Sequence, residues 1–281
     1  IIDHHLDPLL GAVPLSKLSP KQIQEYDQTM TRTEGLSSNT IRRHHDLLSA
    51  ALRMAVRQDM LRVNPMERVE PPRPKLHEAS YDTQENLKVL YQLVEGHWLE
   101  MVVKVTAGLG LRREEICGLK WESVDFQRRV VHIKEARTAY GATVVQKETK
   151  NRSSMRTLFM PDELYELLRR EKARQEQERA IRGGDYAASG HVVLDREGLP
   201  YSPNALSLAF TRFVRKNHLP RLTLHGLRHT FATIASAQGV PLFDIGKAMG
   251  HSTPATTGRI YTHLVDRTHE ETLLLVSAAL K

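Results

Sequence analysis

The sequence has almost none of the residues that build disulfide-rich or cysteine-based metal scaffolds. Its 281 residues include a single cysteine, Cys117. One cysteine excludes an intrachain disulfide and a cysteine-based zinc site, and this usage suits a reducing cytoplasm, where we expect the protein to act. The neighbouring run Ile116–Leu119 is apolar, so we expect Cys117 to be buried as a small hydrophobic side chain.

Long apolar runs and targeting signals are also missing. No stretch approaches the roughly 18 uninterrupted apolar residues that a membrane span requires, so we expect no membrane association. Residues 1–5 lack the basic flank of a signal peptide. The chain does not begin with Met, which leaves open whether a segment precedes Ile1.

Several common catalytic motifs are absent as well. The sequence contains no Walker-type phosphate loop, no GxGxxG after a predicted strand and no HExxH. The carboxylates show no obvious two-metal set, although such sets assemble from distant positions. We therefore predict no residue that binds a cofactor and no metal ligand.

Charge is the first positive feature. Lys and Arg total 40 against 33 for Asp and Glu, a formal net charge of +7. A basic balance of this size is compatible with a polyanionic partner, of which nucleic acid is the commonest. Many proteins with such a surplus bind nothing acidic, so the charge alone does not decide the function.

Residues 1–75 are predicted to form a helical domain. Ser19 before Pro20 is typical of a helix start, and Ser38 is a second candidate for an N-cap. After Ser38 an apolar stripe recurs at helical spacing: Ile41, Leu47, Leu48, Ala51, Leu52, Ala55 and Val56. The opposite face carries the basic residues Arg42, Arg43, His44, Arg53 and Arg57. This face is either solvated or turned toward phosphates.

A basic, proline-rich segment, Pro71–Lys75, follows this region. Three prolines in five residues favour an extended linker, so we place a domain boundary near residues 70–80. The second predicted domain covers residues 76–281.

The second domain is predicted to be mostly helical with a small antiparallel sheet, so that the whole chain has a mainly α, or α+β, fold. Helical patterns cover residues 86–107, 112–120, 161–180 and the region from Pro203 to the end. Strands are predicted at 129–133 and 143–145, with a turn at 139–142 and a third strand at 156–160.

Basic residues stand in three ordered local contexts. Arg112 follows two glycines at a predicted helix start, where free N–H groups favour anions. His225 and Arg228 are three apart and share a helix face. His251 follows Gly250 and precedes Tyr261 by ten residues. Each motif alone is weak, because most such residues lie on ordinary surfaces.

The ordered set resembles the phage integrase, or tyrosine recombinase, family. The matching pieces are Gly-Leu-Arg-x-x-Glu, His-x-Leu-Arg-His-Thr-Phe-Ala-Thr, Gly-His-Ser-x-Pro-x-Thr-Thr and Ile-Tyr-Thr-His, in this order. The catalytic match covers about residues 80–281. Residues 1–75 resemble the family's helical core-binding domain in size and character, with less specific motifs.

The resemblance implies a role for six residues. Arg112 and Arg228 match the two arginines that clamp the scissile phosphate, and Tyr261 matches the nucleophile. His225 and His251 match the family's two histidine positions. The family also uses a lysine on a β-hairpin, for which Lys150 is our choice over its neighbour Lys147. Glu115 matches an acidic residue that braces the site.

The chemistry of these residue types supports those roles. A tyrosine hydroxyl has a reference pKa of about 10, and nearby arginines favour its ionised form. The same arginines stabilise charge on a pentacoordinate phosphorane, and a lysine or histidine protonates the departing 5′ hydroxyl. The phosphotyrosyl bond conserves the energy of the phosphodiester, so neither metal nor nucleotide is required.

The resemblance therefore implies a site-specific DNA recombinase that integrates or excises a mobile element through a 3′-phosphotyrosyl intermediate. Three alternatives stay open: a type IB topoisomerase-like nicking-closing enzyme, a catalytically inactive DNA-binding regulator, and a histidine metal site at His225, His229, His251 and His263.

Expected partners are double-stranded DNA, further copies of the chain in a synaptic tetramer, and accessory DNA-bending or directionality proteins. The core-binding helix near residues 39–54 is our candidate for groove contact. The apolar C-terminal segment Asp266–Leu280 is expected to dock either on its own domain or on a neighbouring protomer.

Overall fold

A computed structural model describes residues 1–74, 84–141, 143–148, 154–220 and 222–251. The chain divides into two compact units, Ile1–Glu78 and Ala79–Lys281. The fold is mainly α with small antiparallel sheets, which confirms the predicted class. Among the residues described, no helix combines the length and apolar character needed to cross a membrane.

The first unit is helical throughout its regular structure. A π-helical segment, Ile2–Gly11, precedes α1 (Pro20–Arg32) and α2 (Ser38–Arg57). Ser19 caps α1 as predicted, and the Gln22 amide oxygen accepts in return from the Ser19 backbone. The cap of α2 is Ser37, whose hydroxyl accepts from the Thr40 backbone; the prediction of Ser38 was wrong by one residue.

Two small apolar clusters hold the first unit together. One gathers Leu6, Tyr26, Met30 and Ile41, and the other gathers Ile23, Leu52, Met66 and Val69. In the predicted apolar stripe of α2, Leu47 is 37% exposed and Ala51 is exposed as well. The helix therefore buries a narrower face than its sequence suggests.

His44 corrects the predicted basic face of α2. Its side chain is buried, its ring stacks on His5 at 5.0 Å, and its Nδ1 lies 2.8 Å from the Tyr26 hydroxyl. Arg43, Arg53 and Arg57 are exposed as expected. Because imidazole is polar, the sequence suggested that His44 lies at the surface. An imidazole nitrogen can also form a hydrogen bond inside a core, as His44 does with Tyr26.

Helices dominate the second unit. In chain order they are α3 (Gln84–Val94), α4 (Glu100–Leu109), α5 (Arg113–Gly118), α6 (Asp162–Arg182), α7 (Pro203–Lys216), α8 (Leu224–Ala237) and α9 (Leu242–Met249). The pattern predicted as one helix over 86–107 is two helices, because the chain turns at Gly96 with a positive φ. The helical pattern predicted from Pro203 onward is confirmed by α7, α8 and α9 as far as Met249, and the rest of that prediction lies outside the described residues.

The strands that the structure describes form two small antiparallel sheets. Strands β1 (Val124–Asp125), β2 (Val130–Ile133) and β5 (Arg156–Phe159) make one sheet in the order β1-β2-β5. Strands β3 (Glu135–Tyr140) and β4 (Thr143–Glu148) pair as a hairpin. The sequence predicted β2, β4 and β5 but missed β1, which has only two residues, and β3, whose residues alternate poorly between apolar and polar.

One large core organises the second unit. The central helix α4 buries Val102, Val103 and Val105 completely, and it contacts α3, α5, α6 and α8. Cys117 belongs to this core and is fully buried, as predicted. Because α5 and α8 both pack against α4, the loops at their first residues are brought to a common place.

Candidate active site

Arg112 and Glu115 are fixed by the junction of α4 and α5. Gly110 ends α4 in the left-handed conformation, with φ of 61°, and a Cβ there would lie 2.7 Å from the Phe231 ring. Arg112 is the N-cap of α5. The Glu115 carboxylate accepts from the Arg112 backbone N–H at 2.8 Å and from its Nη1 at 2.7 Å. The start of this short helix therefore holds the Arg112 guanidinium group and the Glu115 carboxylate in contact with each other.

Arg228 reaches this point from α8, which is capped by the Thr223 hydroxyl. Its Nη1 donates to the Gly110 carbonyl at 2.6 Å and its Nη2 to the Met249 carbonyl at 2.7 Å. Nη1 also lies 4.0 Å from Glu115 Oε2. The Arg228 side chain is 2% exposed and the Arg112 side chain 32%, so solvent reaches Arg112 far more readily.

A third arginine, Arg156, completes the cluster. Its Nη1 and Nη2 donate to the two Glu115 carboxylate oxygens at 3.0 and 2.9 Å. The sequence placed Arg156 only at the start of a strand and gave it no role. The available signal was strand alternation: Arg156 shares the inward phase of β5 with Leu158, while Thr157 and Phe159 are exposed.

The end of α9 meets the same three arginines. Its last carbonyls, on Ala248, Met249 and Gly250, accept from Arg156, Arg228 and Arg112 respectively. Carbonyls at a helix C-terminus lack intrahelical partners and carry partial negative charge. The guanidinium groups satisfy them, which fixes the chain directly before His251.

Three histidines lie beside the arginine cluster. His225 and His229 stand one turn apart on α8, with ring centroids 4.6 Å apart. His251 follows the left-handed Gly250, and its backbone N–H donates to the Gly246 carbonyl at 2.9 Å. The structure thus brings together Arg112, His225, Arg228 and His251, four of the six predicted site residues.

The electrostatics of the cluster keep its members in defined protonation states. Burial would raise the pKa of Glu115, but the hydrogen bonds and charge of Arg156, followed by those of Arg112, lower it to about 2. Burial and the charges of Arg228 and Arg112 lower the pKa of His251 to about 4. Partial burial of its ring and the charge of Arg228 also lower the pKa of His225. Near neutral pH the histidines are neutral and positive charge is in excess.

The other two predicted residues, Lys150 and Tyr261, lie outside the described residues. Strand β4 ends at Glu148, two residues before Lys150. The hairpin that β4 forms packs on α5, where a Cβ on Gly118 would lie 2.9 Å from the backbone of Ala136. Strand β4, which ends two residues before Lys150, therefore belongs to a hairpin that is held against the helix beginning beside Arg112.

The alternative of a histidine metal site finds no support in the part of the chain that the structure describes. No group of three His, Cys, Asp or Glu side chains there lies close enough to hold a metal ion. Of the four histidines considered, His263 lies outside the described residues.

Two family models match the chain. Residues 82–268 match the phage integrase family, and residues 4–70 match the phage integrase SAM-like domain. A XerC-like tyrosine recombinase of Caldanaerobacter subterraneus subsp. tengcongensis is 26% identical, over 92% of this chain and 70% of that protein. The ICEBs1 integrase of Bacillus subtilis is 23% identical, over 96% of this chain and 74% of that protein.

Solved structures of integrases share the fold. The Tn1549 transposon integrase bound to transposon right-end DNA superposes with a TM-score of 0.79 and 24% identity, covering 94% of this chain and 88% of that one. A lambda integrase tetramer on a Holliday junction superposes with a TM-score of 0.65 and 17% identity, covering 91% and 68%. With the match over residues 82–268, these findings establish that the chain belongs to the phage integrase family, the site-specific tyrosine recombinases of mobile elements.

Proposed function

We propose that this recombinase cleaves and rejoins duplex DNA through Tyr261, at a phosphate held by Arg112 and Arg228. The observation that carries the proposal is the convergence of both arginines on Glu115, with His225 and His251 alongside. Arginine forks match the geometry of phosphate oxygens. Three guanidinium groups around one carboxylate leave excess positive charge to attract a phosphodiester.

The proposed cleavage step is an in-line displacement at phosphorus. The Tyr261 hydroxyl gives its proton to a water molecule and its oxygen bonds to the scissile phosphorus, while the bond from phosphorus to the 5′ oxygen breaks. Lys150 protonates that oxygen, and a 3′-phosphotyrosyl bond is formed. Rejoining reverses the step with the 5′ hydroxyl of a second strand. The arginines act by stabilising the charge that develops on the phosphorane.

The buried position of Arg228 adds a requirement to this mechanism. Because the Arg228 side chain is 2% exposed, it must become accessible when the phosphate enters. Neutral His251, held next to Gly250, supplies a hydrogen-bond donor to a phosphate oxygen without adding repulsion to the arginines. His225 lies on the first turn of α8 and is assigned the same kind of contact.

Duplex binding is assigned in part to the first unit. On α2 an exposed strip follows helical spacing, with the members Arg43, Leu47, Ala50, Met54 and Arg57. Arginines at both ends suit phosphate contacts, and the apolar side chains between them suit base edges in a groove. Affinity is expected to fall steeply with salt, because phosphate contacts release counterions.

Assembly is proposed to involve the C-terminal segment after Val265. Its apolar residues, which lie outside the described part of the chain, suit docking on a neighbouring protomer in a synaptic tetramer. Truncation after Val265 should abolish cooperative assembly on DNA while leaving single-site binding in place. Unchanged cooperativity in the truncated protein would rule out this role. Accessory DNA-bending proteins are a further proposed partner.

A nicked suicide substrate tests the cleavage proposal. The wild type should form a covalent protein–DNA adduct, and Tyr261→Phe should form none. Tyr140→Phe is a matched control, because Tyr140 is an exposed hairpin residue far from the motif in sequence. An adduct that survives Tyr261→Phe would refute the proposal.

The same preparation separates the alternatives. A topoisomerase-like enzyme would relax supercoiled plasmids that lack any preferred site, whereas a recombinase requires its site. An inactive regulator would bind DNA without forming an adduct. The approach of both Arg112 and Arg228 to Glu115 supports an active enzyme.

A further inference from the structure

Every nitrogen of the Arg156 guanidinium group donates a hydrogen bond within the protein. Nη1 and Nη2 bind the Glu115 carboxylate as a pair, Nε donates to the Ala248 carbonyl at 2.6 Å, and Nη1 also donates to the Ser154 carbonyl at 3.2 Å. The side chain is 7% exposed. Such a paired fork has a defined orientation that a single point charge lacks.

These contacts join three separate parts of the second unit. Arg156 begins β5, Glu115 belongs to α5, and Ala248 lies in the last turn of α9. Each part adjoins a residue of the proposed mechanism: β5 follows the Lys150 segment, α5 starts after Arg112, and Ala248 stands three residues before His251. A shift of α5 or of the end of α9 would therefore move Arg112 or the chain directly before His251.

Glu115 connects Arg156 with Arg112 more directly. Each carboxylate oxygen accepts from both arginines, Oε1 from the Nη1 atoms of both and Oε2 from Arg156 Nη2 and the Arg112 backbone. Without Arg156 the carboxylate would keep one arginine in hydrogen-bond contact. Each oxygen would then keep only its hydrogen bond from Arg112, so the ionised carboxylate would be less stabilised and Arg112 less firmly held.

We infer that Arg156 is a positioning residue for strand cleavage, which acts through Glu115 and the end of α9 and does not contact DNA. The inference deepens the proposed function and rests on it. It assigns to Arg156 the placement of Arg112 and His251 against the phosphate. Reaction rates fall steeply when such groups are misplaced by an ångström.

Protonation of Glu115 provides a readout that reports on this contact. The charged groups facing Glu115 are Arg112 on its own helix segment, Arg156 from β5 and Arg228 from α8. Burial raises the pKa of Glu115, and Arg156 contributes most to lowering it. Loss of Arg156 should raise this pKa, so that cleavage weakens as the pH falls through the new value.

The test compares Arg156→Gln, Arg156→Lys and the control Arg129→Gln with the wild type. Arg129 also pairs with a carboxylate, that of Asp162, but at the surface. Duplex affinity, the single-turnover rate on a nicked suicide substrate from pH 4.5 to 8, and thermal unfolding are measured for each protein. The double variant Glu115→Gln/Arg156→Gln shows whether any pH dependence comes from Glu115.

We expect Arg156→Gln to bind duplex within about twofold of the wild type and to cleave about 100-fold more slowly. Its rate should decline toward acid pH, and the decline should be absent from the double variant. Arg156→Lys should recover part of the rate, and Arg129→Gln should match the wild type.

Three results would overturn the inference. A wild-type rate in Arg156→Gln would do so, as would equal losses of affinity and rate, which would place Arg156 on the DNA. If Arg156→Gln does not fold, a wild-type rate and pH profile in Arg156→Lys would overturn the inference. A wild type that forms no adduct would instead defeat the proposed function itself.

Discussion

Asp27 in the first unit and Glu115 in the second are both buried beside basic side chains, yet their pKa values shift in opposite directions. His45 Nε2 lies 3.1 Å from Asp27 Oδ2. Burial raises the pKa of Asp27, and the charge and hydrogen bonding of His45 only oppose the rise. At Glu115 burial is more than offset by Arg156 and Arg112, and the pKa falls to about 2.

The difference follows from the partners. An imidazole loses its charge near neutral pH, whereas a guanidinium stays charged and offers five donors in a fixed fork. Two arginines therefore keep Glu115 ionised, and the carboxylate in turn holds them in place. The His45 imidazole beside Asp27 does not offset the cost of burying the Asp27 charge. A permanent charge cluster suits a site that binds phosphate at any physiological pH.

Removing Arg228 should have the largest effect. Arg228→Ala deletes a proposed donor to the phosphorane and opens the contacts to Gly110 and Met249. We expect the single-turnover cleavage rate to fall about 10³-fold, with a smaller loss of duplex affinity. A rate within tenfold of the wild type would exclude Arg228 from the chemistry.

Neutralising Glu115 should have the second-largest effect. Glu115→Gln keeps the shape but leaves Arg112 and Arg156 without a counter-charge, and breaking a buried pair in this way costs about 3 kcal/mol of unfolding free energy. Cleavage should slow about 100-fold as the arginines lose their placement. Urea unfolding and suicide-substrate cleavage measure the two effects. Unchanged stability would show that Glu115 does not hold the cluster together.

Histidines of the second unit should make stability depend on pH. Burial, followed by His225 and Arg228, lowers the pKa of His229 to about 4. Since the folded state favours neutral His229, the contribution of His229 to the unfolding free energy is complete above pH 6.5 and is lost as the pH falls toward 4. Between pH 4 and 7, the unfolding free energy measured in urea should change less with pH in His229→Gln than in the wild type. Identical slopes would contradict the assignment.

Neutralising Asp27 should have the smallest effect. Because its ionised form is already disfavoured, Asp27→Asn should change the unfolding free energy at pH 7 by less than about 1 kcal/mol. Hydrogen exchange of the α1 and α2 amides reports on this unit alone. A loss as large as that of Glu115→Gln would remove the contrast between the two carboxylates.

Sequence patterns predicted the features with strong local signals. The Ser19 cap of α1, the helical patterns of α6 and α7, and the ordered Arg112, His225, Arg228 and His251 motifs were readable from the chain. Predictions failed where tertiary contacts decide. His44 is buried by its bond to Tyr26, and β3 is a strand because β4 pairs with it and α5 packs on it.

Arg156 shows the same limit within the site. No spacing rule connects it to Glu115, 41 positions away in the chain, or to Ala248, 92 positions away. Only the folded unit brings β5, α5 and α9 together. An arginine in the inward phase of a strand was the one local sign of a buried ionic contact.

Identification of the residue that carries the covalent bond tests the central proposal most directly. After reaction with a nicked suicide substrate, nuclease and trypsin digestion would leave nucleotide mass on one peptide. Trypsin cuts after Arg259 and Arg267, and Tyr261 is the single tyrosine of the peptide 260–267. We predict that mass spectrometry finds a 3′-linked nucleotide on Tyr261 of this peptide. A nucleotide on any other peptide would contradict the proposed mechanism.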